Sequence, residues 1–142
     1  MSELSLITVT PDTKRAQFGL MSCGYKNFVC RLGRSGVHKK KAEGDGATPA
    51  GRYKLRYALY RADRTKPPRT ALRTTPARED DGWCDDPTDS FYNQAVKLPY
   101  PARAEALWRE DHQYDIVIVI GYNDEPAVAG RGECHFYSSH IG

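Results

Sequence analysis

The residues best suited to chemistry lie in the run ECHFYSSHIG, which follows Gly132. A thiol is a good nucleophile only as the thiolate, and a neighbouring imidazole is the usual base that forms it. Cys134 and His135 are of the right types, but adjacent residues of a strand point to opposite faces and do not meet. We therefore interpret this pair as non-catalytic.

The elements that must hold these residues are mostly β-strands. Residues rich in β-branched and aromatic side chains predict strands over residues 4–10, 17–22, 25–31 and 52–60. Cys23 and Gly24 lie between two of these runs and predict a hairpin turn. The run YDIVIVIG, residues 114–121, predicts a central strand that is covered on both faces and has a neighbour on each side.

One helix and several loops complete this outline. Ala104, Leu107 and Trp108 lie at helical spacing, which predicts a helix of about three turns over residues 102–111. Long irregular stretches are predicted over residues 33–51, 61–76 and 77–99. The aromatic residues of the last stretch indicate that it is packed against the domain: Trp83, Phe91 and Tyr92.

Two acidic features of the loops have structural interpretations. Glu43 and Asp45, in the EGDG run, could help to shape a cleft, but Asp beside Gly is typical of a turn, which we favour. Cys84 lies among acidic residues that would raise the pKa of its thiol, so we expect it to be structural.

Composition excludes several classes of protein. The chain has 142 residues, 39% of them hydrophobic, which fits a single domain over residues 1–142. Its net charge of +3 comes from 21 basic and 18 acidic residues that are interspersed, so we expect no nucleic-acid partner. No signal peptide and no apolar run of membrane-spanning length is visible, which predicts a cytoplasmic protein as the sequence is written. The four cysteines form no C-x-x-C pair, so neither a zinc site nor a disulfide framework is expected.

Five blocks of the sequence identify a family. They are EGDGATPAGRY (43–53), DDGWCDDPTDSFYN (80–93), LPY (98–100), YDIVIVIGYND (114–124) and GRG (130–132). In order and spacing these blocks resemble the L,D-transpeptidase catalytic domain, the YkuD-like family, in its short single-domain form. The resemblance covers residues 6–132. It implies a β-sandwich that carries a cysteine acyltransferase site for peptidoglycan stem peptides, in the periplasm or cell wall, with no metal or organic cofactor.

The same resemblance implies residues that this chain lacks in register. The resemblance implies that Gly132 is followed by a Ser-Ala-Ile-Phe-hydrophobic-His strand and then by Ser/Thr-x-Gly-Cys, whose cysteine is the nucleophile. His140 is the candidate nearest to the place of that histidine, but it lies two residues beyond it. On a strand this displaces the side chain by about 7 Å, more than catalytic geometry tolerates. We therefore expect the chain to be inactive as given and to lack the C-terminal strands of the fold, which would leave one edge of the 114–121 strand open.

A shift of reading frame would explain this departure. Codons for Glu-Cys-His-Phe-Tyr-Ser-Ser-His-Ile, read one nucleotide later, permit Ser-Ala-Ile-Phe-Ile-His directly after Gly132. We hypothesise that the family sequence was lost there by truncation or by a one-nucleotide shift. Sequencing the gene across this point tests the idea, which an uninterrupted frame through Gly142 would contradict.

The resemblance also indicates residues on the substrate side. The central strand ends where the cleft of the family opens, which makes the following residues candidates for substrate binding, together with the residues of the DGWCDD block: Tyr122, Asn123, Trp83, Asp85 and Asp86. Packing beneath a loop is the alternative for Trp83. For the whole chain, the alternatives to an enzyme are a non-catalytic module that binds muropeptides and a non-functional product that does not fold. Cross-linking and trimming of stem peptides both stay open.

Overall fold

The computed structural model describes residues 6–39, 41–42, 44–132 and 135–138. These residues form strands, turns and loops, with no helix among them, so the prediction of a mostly β protein is confirmed. It follows that this part of the chain contains no helix that could cross a membrane. The chain divides into two compact units, Met1–Gly51 and Arg52–Gly142.

The first unit is a three-stranded antiparallel sheet followed by a small parallel pair. The sheet has the order β1-β2-β3, and Gly24, with a φ of 61°, makes the predicted hairpin turn between β2 and β3. The pair, β4 with β5, lies within the stretch that the sequence predicts to be a loop. The strands are β1 (Ile7–Pro11), β2 (Phe18–Cys23), β3 (Lys26–Arg31), β4 (Val37–His38) and β5 (Thr48–Pro49).

The second unit contains two sheets. Its strands are β6 (Leu55–Tyr60), β7 (Thr74–Pro76), β8 (Asp81–Cys84), β9 (Ala95–Lys97), β10 (Ala104–Ala106), β11 (Ile116–Ile120) and β12 (His135–Ser138). One sheet has the order β12-β11-β6-β7 and the other the order β10-β8-β9. Three of these strands, β7, β8 and β9, lie in stretches that the sequence predicts to be irregular, because runs of three or four residues are too short to show a strand pattern.

β11 is the central strand that the sequence predicts. It pairs antiparallel with β6 on one side and with β12 on the other, so that Val119 lies between Tyr57 and His135. The expectation of an open edge is corrected, because β12 pairs with Ile116–Val119 and satisfies backbone groups of that edge. Val117 and Val119 are buried, and the three isoleucines that alternate with them along β11 are half-buried.

The predicted helix over residues 102–111 is wrong. The segment contains β10 and turns, and its backbone pairs with β8: Leu107 N donates to Asp81 O at 3.0 Å, and Asp85 N donates to Arg103 O at 3.2 Å. A helix of about ten residues is marginal on its own in water, so pairing with a neighbouring strand decides the conformation. Leu107, one of the apolar residues on which the helix prediction rested, is instead buried directly after β10.

The core of the second unit joins its two sheets. Trp83 on β8, Val119 on β11 and Leu107 after β10 are each at most 6% exposed and contact one another. Half-buried side chains that surround this cluster are Tyr57, Leu59 and Tyr114. The predicted packing of the aromatic residues is confirmed for Trp83 and for Tyr92, which is 4% exposed. It is wrong for Phe91, whose exposed fraction is 51%.

Truncation of Leu107 should show how much this core contributes. We expect Leu107→Ala to lower the free energy of unfolding by about 2–5 kcal/mol, because the side chain is 3% exposed and its removal leaves a cavity. Leu55→Ala is the matched control, since Leu55 is 38% exposed, and it should cost about 1 kcal/mol or less. Urea unfolding measures both values, and equal losses would contradict the assigned core.

Candidate functional site

One buried amide connects the two sheets at the end of β11. Trp83 Nε1 donates to Asn93 Oδ1 at 3.1 Å, and Asn93 Nδ2 donates to Tyr122 O at 3.0 Å and to Asn123 O at 2.7 Å. Asn93 is 5% exposed and has a φ of 59°, a left-handed conformation that Asn tolerates better than most residues. Its side chain therefore fixes the backbone that follows β11.

Asn123 closes the loop over residues 123–132. Its Nδ2 donates to Val128 O at 3.1 Å and to Gly132 O at 2.9 Å, while its Oδ1 accepts from Val128 N at 2.8 Å. Gly132 N in turn donates to the Tyr92 hydroxyl at 2.8 Å. Both ends of this loop are thus held by side chains beside the first amide.

A cavity of about 310 Å³ lies between the sheets at this end; we call it cavity 1. Its lining combines aliphatic and aromatic side chains with a charged pair and two amides. The lining residues are Arg56, Tyr57, Trp83, Asn93, Gln94, Ala95, Val119, Ile120 and Asp124. Such a combination of an apolar surface with a few polar groups is typical of a small-ligand site.

The charged pair of cavity 1 is held in place from several sides. Arg56 Nε and Nη2 donate to the two oxygens of Asp124 at 3.1 and 3.2 Å, and Nη2 also donates to Glu125 at 2.8 Å. These carboxylates raise the pKa of Arg56. Gly121 leaves the room for this arrangement, since a Cβ at that position would lie 2.6 Å from Arg56 Nε.

A second cavity, of about 300 Å³, adjoins the segment that lines the first; we call it cavity 2. It lies between the loop that follows β8 and the loop that Asn123 closes. The lining residues are Pro87, Asp89, Ser90, Tyr92, Gln94, Pro126, Ala127 and Ala129. Gln94 lines both cavities, so the two are neighbours across one side chain.

The carboxylate of Asp89 connects cavity 2 with a buried thiol. Asp89 Oδ2 accepts from the Tyr100 hydroxyl at 2.6 Å, from Phe91 N at 3.0 Å and from Cys84 Sγ at 3.6 Å. The hydrogen bond from Tyr100 is the main reason that the pKa of Asp89 is lowered, and the same bond raises the pKa of Tyr100 to about 12. Asp89 is therefore ionised at neutral pH.

Comparison with known families decides the identity of the fold that carries these cavities. The model of the L,D-transpeptidase catalytic domain, YkuD, matches residues 8–140. The chain belongs to this family. Searches among curated proteins and among solved structures gave no significant match.

None of the cysteines whose side chains are described has the surroundings of the family's nucleophile. Cys84 is fully buried, and burial first, then Asp89, raises the pKa of its thiol, in agreement with the structural role that the sequence predicts. Burial likewise raises the pKa of Cys30. Cys23, Cys30 and Cys84 are free thiols. Cys134 and His140 lie outside the described residues.

The predicted substrate residues fall into two groups. Trp83 and Asn123 belong to the Asn93 network, and so does Tyr122, whose hydroxyl also donates to Arg131 O at 2.7 Å. Asp85 is instead paired with Arg103 at 3.0 Å, and the Asp86 carboxylate accepts from Thr88 N and from the Thr88 hydroxyl. Neither aspartate lines either cavity. A role in substrate binding stays a prediction for all five residues.

The EGDG loop of the first unit contains the expected turn. The Asp45 carboxylate accepts from Ala42 N at 2.7 Å and Ala47 N at 2.8 Å, and it pairs with Lys41 at 3.1 Å. Although its burial opposes ionisation, these partners lower the pKa of Asp45 to about 2. Glu43 lies outside the described residues. Among those residues, no group of His, Cys, Asp and Glu could hold a metal ion.

The cavity residues that sequence reasoning missed include Arg56, Asp89 and Asn93. Asn93 ends the DDGWCDDPTDSFYN block, which was the available signal, but nothing local shows that its amide is buried. Arg56 and Asp89 acquire their partners from 68 and 11 residues away along the chain.

Substitution of Asn93 tests the connection between the sheets. We expect Asn93→Ala to lower the free energy of unfolding by about 2–5 kcal/mol, because it leaves the Trp83 N–H and two carbonyls without their partner and places Ala at a positive φ. Asn93→Gly removes the same bonds without that strain and should cost about 1 kcal/mol less. Urea unfolding followed by tryptophan fluorescence measures the difference; equal costs would contradict strain at this position.

The Asp89–Tyr100 bond predicts a pH dependence. We expect the Tyr100 phenol to titrate near pH 12, compared with about 10 in the unfolded chain, because deprotonation breaks a bond to a carboxylate. Its stabilising contribution is therefore full below about pH 10 and is lost as the pH rises towards 12. Carbon-13 NMR of the tyrosine ring measures the pKa, and in Asp89→Asn it should fall back towards 10. An unchanged value in that variant would show that Asp89 is not the cause.

Proposed function

We propose that the chain recognises peptidoglycan stem peptides in cavity 1. The observation that carries this proposal is that residues from separate family blocks line one cavity: Trp83 and Asn93 from DDGWCDDPTDSFYN, and Val119, Ile120 and Asp124 from YDIVIVIGYND. These residues are far apart in the chain and adjacent in the fold. Membership of the L,D-transpeptidase family supplies the class of ligand.

The lining of cavity 1 fits a short peptide with small side chains. Val119, Ile120 and Ala95 offer apolar surface for the methyl groups of alanine residues. Gln94 carries an amide that forms no hydrogen bond within the described part of the chain, so both its oxygen and its NH₂ group are available to a peptide bond. Arg56, at the edge of the cavity, could donate hydrogen bonds to a peptide carboxylate in place of those it donates to the exposed Glu125.

The reaction of the family is acyl transfer through a thioester. A thiolate attacks the carbonyl that precedes the terminal D-alanine, and the histidine takes the thiol proton and passes it to the leaving amine of D-alanine. An amine of a second stem peptide then attacks the thioester, which gives a cross-link, or water does so, which gives trimming. Backbone N–H groups near the sulfur stabilise the oxyanion in each step.

We propose that the chain as given binds without this turnover. Counted from Gly132, Ser138 stands where the family resemblance implies the catalytic histidine, so the base that would form the thiolate is replaced by a hydroxyl group. Cys84 does not replace the nucleophile, because its thiol is buried and has a raised pKa. A module that binds muropeptides is thus the form of the function that the residues support, and the paired β12 edge argues against a chain that fails to fold.

Incubation of the purified chain with a tetrapeptide stem peptide tests the proposed binding and the proposed absence of turnover. We expect saturable binding by calorimetry, and by mass spectrometry no loss of D-alanine, no cross-link and no thioester. Ala95→Trp should weaken binding at least tenfold, because Ala95 is exposed at the cavity and a large ring would fill it. Ala106→Trp is the matched control, since Ala106 is exposed on β10 and lines neither cavity.

Other outcomes would change the assignment. Absence of binding by a folded chain would contradict recognition of stem peptides. Turnover by the chain as given would mean that one of its cysteines acts as the nucleophile, and would overturn the proposal of binding alone. A variant that carries Ser-Ala-Ile-Phe-Ile-His after Gly132, followed by the cysteine motif, should gain turnover if cavity 1 is the substrate site.

A further inference from the structure

Cavity 2 contains the carboxylate of Asp89. Among the described residues that line this cavity, Asp89 is the one charged residue. Its Oδ2 has the partners described above, but its Oδ1 accepts no hydrogen bond within the described part of the chain. A carboxylate oxygen has lone pairs for about two donors, so a cationic donor would find a strong acceptor here.

Two further polar groups of this cavity are available. Ser90 and Gln94 are lining residues of cavity 2, and neither side chain has a hydrogen-bond partner among the described residues. Together with Asp89 Oδ1 they make three oxygen acceptors. A primary ammonium group presents three N–H donors and no acceptor, which matches this set in number and in charge.

The remaining lining suits an alkyl chain that carries such a group. Pro87, Pro126, Ala127 and Ala129 give cavity 2 small apolar walls. A chain of methylene groups can pack against these walls while its charged end reaches Asp89, as lysine side chains do on protein surfaces. The volume of about 300 Å³ accommodates a short alkylammonium group.

We propose that cavity 2 is a binding site for the primary ammonium group of a peptide ligand, with Asp89 as its counter-ion and Ser90 and Gln94 as further acceptors. Because Gln94 also lines cavity 1, one ligand could place its backbone in cavity 1 and an amino side chain in cavity 2. The identity of that ligand as a stem peptide with a diamino acid rests on the proposed function. The ammonium site itself rests on cavity 2.

Two peptides that differ in one amine test the site. The full chain is titrated with a stem tetrapeptide whose side-chain amine is free and with the same peptide acetylated at that amine. We expect acetylation to weaken binding about tenfold or more, since it removes the positive charge and the charge-assisted hydrogen bond to Asp89. In Asp89→Asn the two peptides should bind equally. Asp80→Asn, which removes an equal charge outside the cavity, should keep the difference.

A simple probe separates this proposal from the proposed function. NMR of the labelled chain with n-butylammonium should shift the amide signals of Ser90 and Ala127, whereas tetramethylammonium, which has the charge but no N–H donor, should not. Ala127→Leu fills the cavity and leaves the Asp89 hydrogen bonds in place, so it should abolish the shifts even if Asp89→Asn is poorly folded.

The outcomes are distinct. Equal affinity of the wild-type chain for the two peptides, with binding blocked by Ala95→Trp, would overturn the ammonium site and leave recognition of stem peptides standing. Shifts with butylammonium but no binding of either peptide would support the ammonium site and contradict the proposed function. No shifts with butylammonium, or equal shifts with tetramethylammonium, would overturn the ammonium site.

Discussion

The arrangement of the second unit depends on one buried side-chain amide. Asn93 uses its oxygen for the Trp83 indole and its NH₂ group for two carbonyls beyond β11, so a single residue spans both sheets. An amide can do this because it is donor and acceptor at once, and burial makes loss of any partner costly. The loop that Asn123 closes, and with it one wall of cavity 2, starts from this fixed point.

The two cavities differ in how their charges are balanced. In cavity 1, Arg56 and Asp124 neutralise one another, so the site is polar at its edge without a net charge from that pair. In cavity 2, Asp89 is held ionised by Tyr100, and no cationic side chain is among the lining residues that the structure describes. If one ligand occupies both cavities as proposed, this difference would allow it an uncharged peptide contact in cavity 1 and a contact with a cationic side chain in cavity 2, on the two sides of Gln94.

The thiol chemistry of the family and the packing of this chain place opposite demands on cysteine. A nucleophile needs exposure and a lowered pKa, whereas Cys84 is buried against a carboxylate that accepts its S–H group. Here the sulfur helps to position Asp89, together with the Tyr100 hydroxyl. The described residues that line both cavities precede the segment in which the family resemblance implies the nucleophile. The proposed recognition of a ligand could therefore persist in this fold without chemistry on that ligand.

The sequence alone determined the family, the mostly β class and the central strand, because YDIVIVIG and the family blocks are continuous in the chain. It placed Tyr122 and Asn123 at the end of the central strand and proposed Trp83 as a further candidate, but it predicted an irregular stretch where β8 lies and a helix over residues 102–111. Those elements obtain their hydrogen bonds from one another, so their conformation exists only once they pair. The tertiary structure alone decided that Arg56, Asp89 and Asn93 line the cavities, since their partners and their burial come from distant parts of the chain.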